Sequence, residues 1–216
     1  MDYKALREKM VGEQLKARGI KNERVLNAFL DIPREIFVPQ SFANQAYADS
    51  PIPIGENQTI SQPYTTAFMT ELLELKSGDT VLEIGAGSGY AAAILGKLCK
   101  QVYTVEVITV LAVKAREKLK RLNISNVTVI IGDGSIGLKD KAPFDAIAVT
   151  AAAPKVPNAL ISQLKIGGRL VVPVGNNFLQ KMVKITKTEQ GTKLVTCGTF
   201  RFVPLIGKEG WKKVLI

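Results

Sequence analysis

Residues Val81 to Tyr90 read Val-Leu-Glu-Ile-Gly-Ala-Gly-Ser-Gly-Tyr. A short apolar stretch runs straight into a glycine turn, and a helical pattern follows from Ala91 to Leu98. Gly85, Gly87 and Gly89 allow positive φ and let a ligand lie against the main chain. A strand, a glycine turn and a helix N-terminus together make a cradle for a nucleotide-like group. The spacing is G-x-G-x-G, and Tyr90 stands where the dinucleotide fingerprint needs a small residue. That difference moves the expected ligand from NAD towards S-adenosyl-L-methionine.

The elements that must hold this turn follow from hydrophobic periodicity. Strands are predicted at 80–84, 102–106, 127–131, 144–150 and 169–174, and helices at 89–99, 109–122 and 157–165. Such alternation predicts an α/β fold: a doubly wound, mostly parallel, Rossmann-like sheet. Ahead of it, 4–18 and 23–30 read as amphipathic helices, with Gly19 ending the first. A long irregular lead-in, 31–60, carries Pro33, Pro39, Pro51 and Pro53, and a helix is predicted over 62–75. After Gly175, residues 180–188 and 192–203 alternate apolar and polar around Glu189-Gln190-Gly191, which predicts an antiparallel hairpin at the sheet edge. One domain is expected over 1–216: an extension over 1–60, a cofactor-binding core over 61–175, and a hairpin with a substrate-side segment over 176–216.

Ligands of open α/β sheets bind beyond the carboxyl ends of the strands. The second strand ends at Glu106, an acid able to accept hydrogen bonds from two ribose hydroxyls, and Val107 follows it. The third ends in Gly132-Asp133-Gly134, where a carboxylate suits an adenine amino group; a plain Asp-Gly turn explains the same residues. The fourth ends in Thr150-Ala151-Ala152-Ala153-Pro154, small enough to leave room for the methionine part of the ligand and an incoming substrate. The order of glycine turn, ribose acid and Asp-Gly pair resembles the Rossmann-like S-adenosyl-L-methionine-dependent methyltransferases.

Three further segments sharpen the resemblance. Gly55 to Tyr64 contains Gln58-Thr59-Ile60-Ser61-Gln62-Pro63, Leu164 to Gly175 precedes the hairpin, and Phe202 to Gly207 contains Val203-Pro204-Leu205-Ile206. With Val149 to Pro157 they resemble the protein-L-isoaspartate O-methyltransferase family, over roughly residues 4 to 212. The resemblance implies a repair enzyme that methylates the free α-carboxylate of L-isoaspartyl residues in damaged proteins and peptides. It implies cofactor contacts from Gln58, Thr59, Ile60, Ser61, Glu83, Gly85, Ala86, Gly87, Gly89, Glu106, Val107, Gly132, Asp133, Gly134 and Thr150. Ser61 corresponds to the family's active-site serine, with Thr59 a second donor, and Ser61, Ala151, Val203, Pro204, Leu205 and Ile206 are expected beside the peptide substrate. Tyr64 stands where many relatives have histidine. Two readings of Ser61 remain open here, an orienting donor and the N-cap of the helix beginning near Gln62. An ordinary edge-strand exit likewise remains open for 203–206.

Composition bounds the alternatives. The 216 residues contain no histidine, which removes histidine general-base and metal chemistry, and no metal is expected. A carboxylate nucleophile needs no base, because an α-carboxyl with a pKa of about 3.5 is already ionised at neutral pH. The formal charge of +10 leaves open a methyltransferase acting on RNA or a small molecule. The densest basic run, Lys114 to Arg121, falls on a predicted helix with an apolar stripe of Leu111, Ala115, Leu119 and Leu122, and reads as a solvated face rather than a nucleic-acid patch. A non-enzymatic nucleotide-binding module is the other alternative. Cys99 and Cys197 form no metal-binding spacing and read as reduced thiols. A charged, amphipathic N-terminus and the lack of an apolar run of ~18 residues lead us to expect a cytoplasmic protein without a membrane span.

Overall fold

The computed structural model of the protein describes residues 1–212. Its centre is a seven-stranded sheet built from β3 (Thr80–Ile84), β4 (Gln101–Glu106), β5 (Val127–Ile131), β6 (Phe144–Val149), β7 (Leu164–Gly175), β8 (Gln180–Thr188) and β9 (Gly191–Phe200). The order is β5-β4-β3-β6-β7-β8-β9. The first five strands in that order pair in parallel, and β8 and β9 add an antiparallel edge. The chain steps outward from β3 through β4 to β5, then returns to β6 on the other side of β3. The gap between β3 and β6 is therefore the switch point at which a ligand crevice opens.

The central strands are buried on both faces. Val81, Val102, Ala146 and Val171 feed one apolar core, while Leu82, Val105, Ile147 and Leu170 feed the other. This is the period-two alternation of a sheet covered on two sides. α3 (Pro63–Leu72), α4 (Tyr90–Leu98) and α5 (Thr109–Arg121) contribute to the first core. The second face is covered by α6 (Asn158–Ser162) and by Leu138 and Ala142, which flank a short 3-10 turn at 139–141.

The N-terminal layer packs on the first face. α1 (Tyr3–Lys9) continues as a π-helical turn over Met10–Leu15 and a 3-10 turn over Lys16–Arg18, so the expected single helix changes pitch twice. The wide turn buries Met10, Val11 and Leu15, and Gly19 ends the run in a left-handed conformation, as expected. α2 (Glu23–Asp31) is capped by Asn22, whose side chain accepts from Arg24 N and Val25 N.

Further departures from the sequence reading bear on the site. The lead-in holds a small antiparallel hairpin, β1 (Ile52–Gly55) with β2 (Gln58–Ile60), turned at Glu56 and Asn57 with positive φ. Its prolines concealed it, although proline is tolerated on an edge strand. β7 starts at Leu164 rather than 169, which shortens α6 to five residues. α3 ends at Leu72 because Glu74 turns left-handed.

Candidate active site

A cavity of about 800 Å³ opens at the switch point. Its floor is the end of β3 and the glycine turn, with Glu83, Gly85, Ala86 and Gly87 on the wall. Gly85 has φ +96°, and a Cβ there would lie 2.6 Å from Thr150 Oγ1. The same Thr150 hydroxyl donates to the carbonyls of Ile84 and Gly85, at 3.0 and 2.7 Å. Gly85 is therefore needed for the close approach of the neighbouring strand end. Gly87, at φ +51°, would place a Cβ no nearer than 3.5 Å to Ile54 Cδ1, so its main chain stays open to the cavity.

Glu106 ends β4 directly beside this turn. Its Oε2 accepts from Gly87 N at 2.8 Å and its Oε1 from Ile108 N at 2.9 Å. Each carboxylate oxygen keeps a free lone pair, enough for two ribose hydroxyls. Glu83 is fully buried. Thr104 donates to its Oε2 at 2.5 Å, while Oε1 lacks a partner among the described residues. Burial pushes this carboxyl up to about 8 against the lowering effect of Thr104, and nearby Glu106 adds to the rise. A buried carboxyl with one free oxygen on a cavity wall is suited to receive a cation. These features fit S-adenosyl-L-methionine: an acceptor pair for its ribose, a free carboxyl for its ammonium, and a main chain without side chains at Gly87.

The opposite wall comes from the lead-in hairpin and α3. Gln58, Thr59, Ile60 and Ser61 all line the cavity, as do Thr66, Met69, Thr70 and Leu73. The last four lie at helical spacing on α3 and its C-cap, a stripe that periodicity could have exposed. Ser61 is not the helix cap. The N-cap position of α3 is Gln62, which makes no side-chain cap bond, and Asp49 Oδ1 accepts from Tyr64 N at 3.0 Å instead. The Asp49 carboxylate also pairs with Arg18, whose guanidinium carbon lies 3.6 Å from the Tyr64 ring centroid. Tyr64 in turn stacks on Phe68, and Phe68 on Phe200. Tyr64 is thus held in an aromatic stack.

Val203, Pro204, Leu205 and Ile206 close the third side, together with Ala151, Val107, Gly134 and Thr150. Their main chain is paired: Ala152 N donates to Val203 O at 2.7 Å and Leu205 N to Ala152 O at 2.8 Å. A second hollow of about 50 Å³ adjoins, lined by Thr59, Ser61, Gln62, Thr150, Phe202 and Val203 among others. Ser61 borders both spaces.

Three expected cofactor residues do not line the cavity. Gly89 faces α5, where a Cβ would come 3.2 Å from Ala115 Cβ. Gly132 lies outside the lining. Asp133 is taken up locally and from afar: Oδ1 accepts from Ser135 N and Ser135 Oγ, and Oδ2 accepts from Lys208 N. Conversely, Tyr90, Asn177 and Trp211 line the cavity without having been expected. Trp211 Nε1 donates to Ala152 O at 3.0 Å, which no local pattern announces. Among the described residues no group of three or more His, Cys, Asp or Glu side chains is placed to hold a metal ion, and no helix is long and apolar enough to cross a membrane.

Sheet order, glycine turn and the acid beside it make up the frame of a Rossmann-like, S-adenosyl-L-methionine-dependent methyltransferase. Within that class, a family model for protein-L-isoaspartate(D-aspartate) O-methyltransferase matches residues 6–210, and the chain belongs to that family. A protein-L-isoaspartate O-methyltransferase of Geobacter metallireducens is 55% identical over 212 residues, covering 98% of each chain. One solved protein-L-isoaspartate O-methyltransferase superposes with a TM-score of 0.84 at 32% identity, over 94% of this chain and 66% of that longer one. A Plasmodium falciparum structure described as the same enzyme, in complex with S-adenosyl-L-homocysteine, gives a TM-score of 0.81 at 27% identity, over 95% of this chain and 99% of that one.

Proposed function

We propose that this protein moves a methyl group from S-adenosyl-L-methionine to the free α-carboxylate of L-isoaspartyl residues in damaged proteins and peptides. Family membership supplies the reaction class. The observation that carries the assignment of residues is the place of Ser61, which borders both the large cavity and the small hollow while Asp49 does the capping.

The cofactor supplies an electrophilic methyl on a sulfonium. Glu106 holds the ribose, Glu83 the ammonium, and the Gly85 to Gly87 main chain lies against the ligand. Ser61 donates its hydroxyl to one carboxylate oxygen of the substrate and so turns the other towards the methyl, with Thr59 as a second donor. Without an activating base Ser61 orients and does not attack. The peptide rests against Ala151 and the main chain of Val203, Pro204, Leu205 and Ile206. An anion and a cation become two neutral groups, so an enclosed site of low polarity favours the step.

Nucleic acid has no part in this reading. In the basic run of α5, Arg116 donates to Val129 O and Lys118 to Phe37 O, so part of that charge anchors the fold. The reading places the protein in the cytoplasm, in keeping with two free cysteines. Tritiated methyl donor offered with an isoaspartyl peptide, its normal aspartyl twin and bulk tRNA tests it. Base-labile counts in the isoaspartyl peptide alone are expected, and labelled tRNA would overturn the assignment.

A further inference from the structure

The largest of the fully buried side chains is an arginine, Arg34, in the lead-in between α2 and β1. Its Nε donates to Ala46 O at 2.7 Å and its Nη2 to Ser61 O at 2.7 Å. The guanidinium carbon lies 4.9 Å from the centroid of the Tyr90 ring. Nη1 has no partner among the described residues, and no salt bridge among them involves Arg34. Tyr90 opens α4 just after the glycine turn, lines the cavity, and is wedged edge-on between Phe29 and Phe37.

A buried guanidinium without a carboxylate is a poor stabilising device. Desolvating the charge is costly, and apolar replacements of buried charges are often neutral or stabilising. Burial lowers the pKa of Arg34, outweighing the raising effects of Tyr90, Tyr47 and Asp49. What the group does provide is geometry. Its planar fork holds two carbonyls at a fixed spacing while the cation sits over an aromatic ring. One carbonyl belongs to Ser61 and the ring to the first residue after the cofactor turn. We propose that Arg34 is a positioning residue for methyl transfer, holding Ser61 in register with the cofactor turn through the chain Ser61 O, guanidinium, Tyr90. This rests on the reaction proposed above and adds a residue to it. Arg34 touches neither substrate nor cofactor, so it acts on alignment rather than on binding.

The test compares Arg34→Met and Arg34→Lys with the parent in the full chain, well below all three melting temperatures. Turnover of an isoaspartyl peptide, its KM, and affinity for S-adenosyl-L-homocysteine are measured together. A displacement near 1 Å can cost about 10²-fold in rate. We expect kcat of Arg34→Met to fall by about that factor, with KM and affinity for S-adenosyl-L-homocysteine within about three-fold of the parent. Lysine keeps the charge and loses the fork, so Arg34→Lys should remain at least about tenfold slow. It carries the decision if the methionine variant does not fold. Parental kcat in a folded variant overturns the assignment, as does a rise in KM and a loss of ligand affinity as large as the loss of kcat, which would mark general loosening. A parent that leaves the isoaspartyl peptide unmethylated overturns the underlying reading and this one with it; an active parent beside unimpaired variants overturns the Arg34 assignment alone.

Discussion

Glu106 accepts a hydrogen bond from the main-chain N–H of Gly87 at 2.8 Å, so the acid at the end of β4 braces the turn at the end of β3. Its second oxygen braces Ile108 N at the start of α5. The residue assigned to the ribose therefore also holds the shape of the cradle.

Glu106→Ala should weaken S-adenosyl-L-homocysteine binding and lower stability together. Losing charge-assisted bonds to a ligand costs about 1.5–3 kcal/mol, and leaving two backbone donors unsatisfied adds a folding cost of about 1–3 kcal/mol. Calorimetry and melting curves report the two effects separately. Undiminished affinity would remove Glu106 from the ribose site.

Gly87→Val places a branched side chain at φ +51°, in space otherwise left to the ligand. Backbone strain should cost about 1–3 kcal/mol of stability, and cofactor binding should be lost in the folded variant. Normal binding by equilibrium dialysis would show that the ligand does not lie against this turn.

On the proposed reading Ser61 orients the substrate while Asp49 caps the helix, two roles that one serine was a candidate to combine. Asp49→Ala removes the cap on Tyr64 N and should cost about 0.5–2 kcal/mol of stability. Ser61→Ala should leave melting almost unchanged and slow methyl transfer, with cofactor affinity intact. Ser61→Asp sets a negative charge against the substrate anion and should be inactive even when folded. Single-turnover rates decide: parental activity in Ser61→Asp would return Ser61 to a structural role.

Glu83 predicts a pH dependence with a definite sign. Its carboxyl rises from 4.5 to about 8 on folding, so the cofactor-free protein should lose stability as pH climbs through that window. A bound ammonium favours the carboxylate, so binding expels the proton and affinity should grow with pH up to about 8, by at most about tenfold per unit. Titrations with S-adenosyl-L-homocysteine in buffers of different ionisation enthalpy will show the released proton. Glu83→Gln should flatten both profiles; a persistent slope would assign the proton to another group.

Much of the fold was legible because it is written in local periodicity. The strand at 80–84 matches its prediction at both ends, α5 buries Leu111, Ala115 and Leu119 as its stripe demands, and Gly19 stops the first helical run. Side-chain direction along a strand or helix depends on neighbours a few residues away, so sequence alone carries it. The glycine turn and Glu106 were legible for the same reason, since strand ends locate the crevice. Partnership was not. Gly87 and Gly89 look alike in the chain, yet Gly87 faces the cavity and Gly89 packs on Ala115. Asp133 lies outside the cavity lining, and Lys208 N reaches it from the C-terminal segment. Asp49 takes the capping duty that proximity offered to Ser61, and Arg34 joins Ser61 to Tyr90 across separate elements. By itself the sequence determined the alternating strands and helices of the core, the edge hairpin and the family's chemistry. Which donor meets which acceptor was decided only by the tertiary structure, because packing brings together groups that the chain holds far apart.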